Sequence, residues 1–223
     1  MPISKASFGV VMVLCASVGH IVLAADAPVE WDGLQKTKVK GIDVAYVRPG
    51  VDFSKYGRVM MDPVQVQFSK DWKPEKTGSH MQVSQEDRDR IQKGLAELAT
   101  KTFAETLQEK DGYPVVTTPG PDVMRVSAAL VDVYINAPDI PTAGRSRTYV
   151  VNAGRMTFVA ELRDSETGAL FARVVDQREA RDNATWTWSN SVENSSEARR
   201  MVSQWAKILR TRMDAVRAQP KAQ

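Results

Sequence analysis

Cysteine occurs once in this chain of 223 residues, at position 15, and histidine twice, at positions 20 and 80. Cys15 and His20 both fall within the first 25 residues. If that segment is removed, the remainder keeps one imidazole and no thiol. Disulfide staples, thiol catalysis and Cys/His metal clusters are then excluded. His80 sits in the polar stretch Ser69–Gln82 without an orienting partner in sight, which suits a solvent-facing side chain better than a general base. No glycine-rich loop opens a helix, so a phosphate cradle is missing. Carboxylates show no metal-ligand spacing. Neither a cofactor nor a metal is expected. Charge of one sign is scarce too: Lys and Arg number 30 against 27 Asp and Glu, interspersed throughout, for a net +3. The pI near 9.0 therefore reflects a slight basic excess rather than a nucleic-acid-binding stripe.

What is present begins at the N-terminus. Lys5 is the only charge before Asp26, and Phe8–Ala16 is a short apolar core. A looser stretch ends in Val22-Leu-Ala-Ala25. A basic start, an apolar core and small residues at the end make a secretory signal peptide, with cleavage between Ala24 and Ala25. Two other fates stay open. Lipidation of Cys15 is disfavoured because bulky Leu14 precedes it and the apolar stretch continues past it to Leu23. Retention as an anchor would use the uncharged span from Ala6 to Ala25, which could just cross a bilayer. Membrane anchoring is expected only under one of these two. The working expectation is an exported protein, periplasmic or outer-membrane-associated.

After the leader, about 200 residues are enough for one domain with a real core. The expected division is a signal peptide over 1–24, an irregular lead-in over 25–57, one α+β domain over 58–217 and a flexible tail over 218–223. Val44–Val47 could add an edge strand to the lead-in. Val64, Val66 and Phe68 alternate with Gln65 and Gln67 as a half-buried strand, and Pro63 marks a bulge or an edge. Ser84 with Glu86 and Asp87 opens a helix whose apolar stripe runs Ile91, Leu95, Leu98, Phe103 and Leu107. Val123 to Asn136 is a long strand with Ala129, Val131, Val133 and Ile135 expected on one side. Two strands around Asp164-Ser-Glu-Thr-Gly168 read as a hairpin, with Met156, Phe158, Ala160, Leu162, Leu170, Ala172 and Val174 facing inward. A last helix carries the stripe Ala198, Met201, Val202, Trp205, Ile208, Leu209, Met213 and Val216, with Asn194 and Glu197 as a capping-box variant. The fold class is α+β: a mainly antiparallel sheet of about five strands, covered on one face by two amphipathic helices.

Several blocks together resemble a known family. They are Trp31-Asp-Gly-Leu34, Arg48-Pro-Gly-Val-Asp52, Met61-Asp-Pro-Val64, Gly120-Pro-Asp-Val123, Tyr134–Asp139, Gly144–Tyr149, Arg178–Asn183 and the tail helix after Asn190–Asn194. The chain resembles the bacterial domain-of-unknown-function family 3313, uncharacterised envelope lipoproteins. The resemblance implies an envelope location and no reaction.

Two function classes remain. Asp132, Asp176 and Glu179 could supply paired carboxylates to an envelope glycan hydrolase, against ordinary ion pairing with Arg173, Arg178 or Arg181. The other class is a non-catalytic accessory or scaffold domain that binds an envelope protein or a cell-wall component. Its expected surface joins the 136–149 loop, with Arg145, Arg147 and Tyr149, to the 178–190 segment, with Arg181, Asp182, Trp186 and Trp188. Aromatics beside arginines can stack on sugars or anchor a protein. The intervening hairpin would bring the two segments together. The non-catalytic class is the expectation.

Overall fold

The computed structural model describes residues 28–72, 83–135, 148–150, 154–179, 187–189 and 191–218, with 148–150, 187–189 and 191–194 described for their backbone only. The expected cleavage site Ala24–Ala25, Cys15 and His80 lie outside the described residues.

The central strand is β7 (Val123–Ile135). On one side it pairs antiparallel with β9 (Gly154–Asp164), which turns into β10 (Leu170–Glu179). Beyond β10 come β3 (Val44–Val47), β2 (Leu34–Thr37) and β1 (Glu30–Trp31), each antiparallel to its neighbour. On the other side β4 (Arg58–Met61) and β5 (Gln65–Phe68) follow one another along β7, both parallel to it. β6 (Val115–Val116) lies outside β4, also parallel. Among the described residues the sheet is thus mixed and has nine strands, where a mainly antiparallel sheet of about five was expected. The parallel pairs arise because α1 (Gln85–Gln108) carries the chain back over the sheet between β5 and β7.

The segment expected as an irregular lead-in supplies three of those strands. Its short runs show little periodicity of their own; long-range clamps hold them. Tyr46 donates to the Pro28 carbonyl at 2.7 Å, and Arg48 donates to the carbonyls of Leu170 at 2.6 Å and Asp32 at 3.1 Å. β3 is interior, between β2 and β10, rather than an edge.

Ser84 caps α1 as expected, accepting from the Asp87 amide. The last helix, α2 (Ser191–Arg217), starts before Asn194, so the expected Asn194 cap is not formed. Glu197 instead pairs with Arg200 one turn on, at 2.7 Å. Both helices pack on one face of the sheet. Their core with it is an aromatic stack: Phe158 of β9 lies between Phe103 of α1 and Trp205 of α2, with centroids 5.7 and 4.8 Å apart. Val126, Ala128, Leu130, Met156, Ala160, Met201 and Val202 close around it.

Two bulges revise the expected inward faces. Asp132 has φ 49°, and the β7–β9 register shifts between Val131 and Tyr134. Val126, Ala128 and Leu130 therefore face the helices before the bulge, and Val133 and Ile135 after it, so Ala129 and Val131 do not share the face of Val133. A second shift between Leu170 and Ala172 turns Leu170 to the opposite face, where it packs with Leu34, Val44 and Tyr46. Gly168 has φ 72°, as its turn position requires.

Candidate recognition site

At one end of the sheet β7 finishes at Ile135, β9 begins at Gly154 and β10 finishes at Glu179. The first segment singled out in the sequence, 136–149, begins after the last residue of β7, and the second, 178–190, begins with the last two residues of β10. The end is tightly built. Ile135 pairs with Gly154, where a Cβ would lie 2.1 Å from the Tyr134 carbonyl oxygen, and φ is 139°. Only glycine tolerates that crossing. In the next row Tyr134, Arg155 and Glu179 stand opposite one another on β7, β9 and β10. The Arg155 guanidinium lies over the Tyr134 ring, 5.0 Å from its centroid, and its Nε is 3.6 Å from Asp132 Oδ2. Asp132 reaches Arg155 from the bulge, in a left-handed conformation that aspartate adopts more readily than most residues. Trp72, expected in a polar loop, is buried beneath this end, stacked on Phe68 with its indole N–H donating to the Ile135 carbonyl at 2.9 Å.

The two emerging segments meet again. β8 (Thr148–Val150) and β11 (Thr187–Ser189) form a two-stranded antiparallel ribbon in which Tyr149 stands opposite Trp188. The backbone thus pairs two of the candidate residues, some forty positions apart in sequence. Arg145, Arg147, Arg181, Asp182 and Trp186 lie outside the described residues. Sequence reasoning missed Tyr134 and Arg155. Both sit in ordinary alternating strand patterns, and their meeting depends on the bulge at Asp132, which nothing in Val131-Asp-Val-Tyr-Ile135 announces.

Of the three carboxylates weighed for catalysis, Asp132 and Asp176 have arginine partners, and Glu179 stands opposite Arg155 in the sheet. Asp176 is buried: Trp205 donates to its Oδ2 at 2.6 Å, Arg178 to the same oxygen at 2.8 Å, and the Asp43 amide to its Oδ1 at 2.9 Å. Arg178 also bonds Gln204 of α2. Asp132 faces Arg155 as above. Arg173, expected to pair with one of these acids, pairs instead with Glu161, at 2.6 Å, and Arg163 holds the other Glu161 oxygen at 2.7 Å. Burial raises the Glu161 carboxyl, but hydrogen bonds from Arg163 and Arg173 outweigh it and hold the group below its ordinary value. Among the described residues no group of three or more His, Cys, Asp or Glu is placed to hold a metal ion.

The blocks that carried the family resemblance do structural work where they are described. Trp31 lies under the Arg173 guanidinium at 3.9 Å, and Asp32 pairs with Arg173 at 3.0 Å. Asp52 accepts from Ser54 at the short helical turn Phe53–Lys55, Asp62 takes Arg125 and Ser127, and Asp122 takes Arg58. Gly120 exchanges hydrogen bonds with Ser165.

A family model described as a protein of unknown function, DUF3313, matches residues 25–209. The chain belongs to this family. No curated protein matches it. Among solved structures it is similar to the PelC dodecamer from Paraburkholderia phytofirmans, at 12% identity over 79% of this chain and 96% of that one, with TM-score 0.39. It is also similar to a Xanthomonas campestris protein of family DUF330, at 8% identity over 72% and 88% of the two chains, with TM-score 0.38. At these levels neither neighbour says what this DUF3313 member binds.

Proposed function

We propose that this DUF3313 member is a non-catalytic accessory or scaffold domain of the cell envelope, periplasmic or outer-membrane-associated. It binds an envelope protein or a cell-wall component through the 136–149 and 178–190 segments. One observation carries the reading: both segments leave the same end of the sheet, and their backbones pair at Tyr149 and Trp188. Loops raised on a rigid scaffold are where recognition residues concentrate. The arginine partners of Asp132 and Asp176 also support it, because an acid held by a guanidinium is a poor general acid. The envelope location rests on the leader, whose removal should leave a mature protein beginning at Ala25; intact-mass measurement of the exported protein checks this.

The binding claim is tested by co-sedimentation of the purified mature chain with peptidoglycan sacculi, alongside photo-crosslinking in cells from position 149. Arg145→Ala/Arg147→Ala should lose the sacculus binding or the crosslinked product without a change in urea midpoint. Unchanged binding in that variant would overturn the assignment. Turnover of a glycan that depends on Asp132 or Asp176 would favour a hydrolase using paired carboxylates.

A further inference from the structure

The large hydrophobic side chains left exposed among the described residues are Val29, at 82% exposure, and Trp31, at 38%. Trp31 is on β1, the outermost strand of the sheet, and Val29 immediately precedes that strand; the Lys36 amide bond to its carbonyl extends the β1–β2 pairing to Val29, which puts it on the side of Trp31. This is not a fraying terminus. Trp31 packs edge-on against Tyr46 at 5.8 Å and under Arg173, while Asp32 and Gly33, with φ 54° and 72°, form the tight turn back into buried Leu34. Arg48 and Arg173 clamp Asp32, and the Lys36 amide donates to the Val29 carbonyl at 2.9 Å. The apolar pair is therefore displayed on a rigid edge.

Beside it run Lys36, Lys38 and Lys40, all exposed. Lys36 is next to Val29 across the hairpin, and Lys38 follows roughly 7 Å further along. Lys38 and Lys40 form no ion pair among the described residues. Of the nearby acids, Asp32 is held by Arg173, Asp43 accepts from the Gln177 amide at 2.9 Å, and Glu30 alternates to the opposite side from Trp31. An amphipathic indole and an exposed aliphatic flanked by lysines match the interfacial layer of a bilayer, where indoles sit at headgroup depth and lysines meet anionic phosphates.

We propose that the β1–β2 hairpin is a docking surface for an anionic phospholipid bilayer. It is separate from the recognition end: five strand spacings, roughly 24 Å, divide β1 from β7. A domain seated on a bilayer by β1 would leave its recognition end free.

The test uses the leader-free mature chain and sedimentation with vesicles of phosphatidylethanolamine containing about one third phosphatidylglycerol, against vesicles of phosphatidylcholine alone. The wild type should sediment with the anionic vesicles only, and release at high salt. Lys38→Glu/Lys40→Glu should reduce the bound fraction at least about fivefold, and Val29→Asp should reduce it comparably. These side chains are exposed, so urea midpoints should not move. Absence of binding to anionic vesicles, equal binding to neutral ones, or full binding by both variants would each overturn the proposal.

Discussion

Phe158 and Glu161 stand on the same strand, β9, and face opposite sides of the sheet. Under the helices, Phe158 is stacked between Phe103 and Trp205, and a buried acid opposite it on β10, Asp176, is held by an indole, a guanidinium and an amide. On the other side Glu161 is gripped by Arg163 and Arg173, with Arg173 reaching on to Asp32 and Trp31. One face is made by apolar area with a polar group fitted into it. The other is made by charged and stacked side chains crossing β9, β10 and the β1–β2 turn. The difference teaches where stability and sensitivity reside: the helix face should respond to lost volume, the opposite face to lost charge.

The largest effect should come from the helix face. Trp205 is 2% exposed, and Trp205→Ala should cost about 3–5 kcal/mol in urea unfolding. A smaller loss, about 1–3 kcal/mol, is expected for Glu161→Gln, which leaves Arg163 and Arg173 short of their carboxylate. If Glu161→Gln proves the costlier of the two, the contrast between the faces is wrong.

Protonation sharpens the same contrast. Tyr56 donates to Asp164 at 2.6 Å, the Thr167 amide donates at 2.8 Å, and together they hold that carboxyl well below its ordinary range. Glu161 is also lowered. Their contribution is complete above the ordinary values of 3.8 and 4.5 and is lost as pH falls through the folded-state values. Urea midpoints should therefore fall below about pH 4.5, less steeply in Glu161→Gln/Asp164→Asn. Tyr113, beneath α2, behaves in the opposite sense. Burial and its hydrogen bond to Asp214 push it from 10.0 to about 12, so its contribution is complete below pH 10 and is lost as pH rises toward 12. Tyr113→Phe should flatten that alkaline loss. The smallest effect belongs to the proposed recognition segments: Arg145→Ala/Arg147→Ala should leave stability within about 0.5–1 kcal/mol.

Both helices were legible in the sequence because each buries one stripe at a 3.6-residue period, and the Ser84 cap follows from its side chain alone. The β9–β10 hairpin was legible for the same reason at a period of two. β7 was legible as a strand but its inward face was not, since Ser-Ala-Ala-Leu-Val supplies small or apolar residues in either phase and the bulge at Asp132 decides which is used. The first two strands, and the interior place of the third at Val44–Val47, were hidden because Arg48, Tyr46 and Arg173 hold them from across the fold. The parallel pairing came from α1 acting as a crossover, which periodicity does not encode. Of the candidate site, the convergence of the two segments was legible from the hairpin between them. Tyr134 and Arg155 were not, because a backbone irregularity brings Asp132 to the arginine.

The central claim is that recognition resides where those segments pair and not in the acids. The most direct measurement is site-specific photo-crosslinking in cells, with the reactive group placed at position 149, at position 188 and, as a control, at exposed Lys207 on α2. A partner crosslinked from 149 and 188, lost in Arg145→Ala/Arg147→Ala and retained in Asp176→Asn, is the expected result. Equal crosslinking from all three positions, or loss only in Asp176→Asn, would contradict the account.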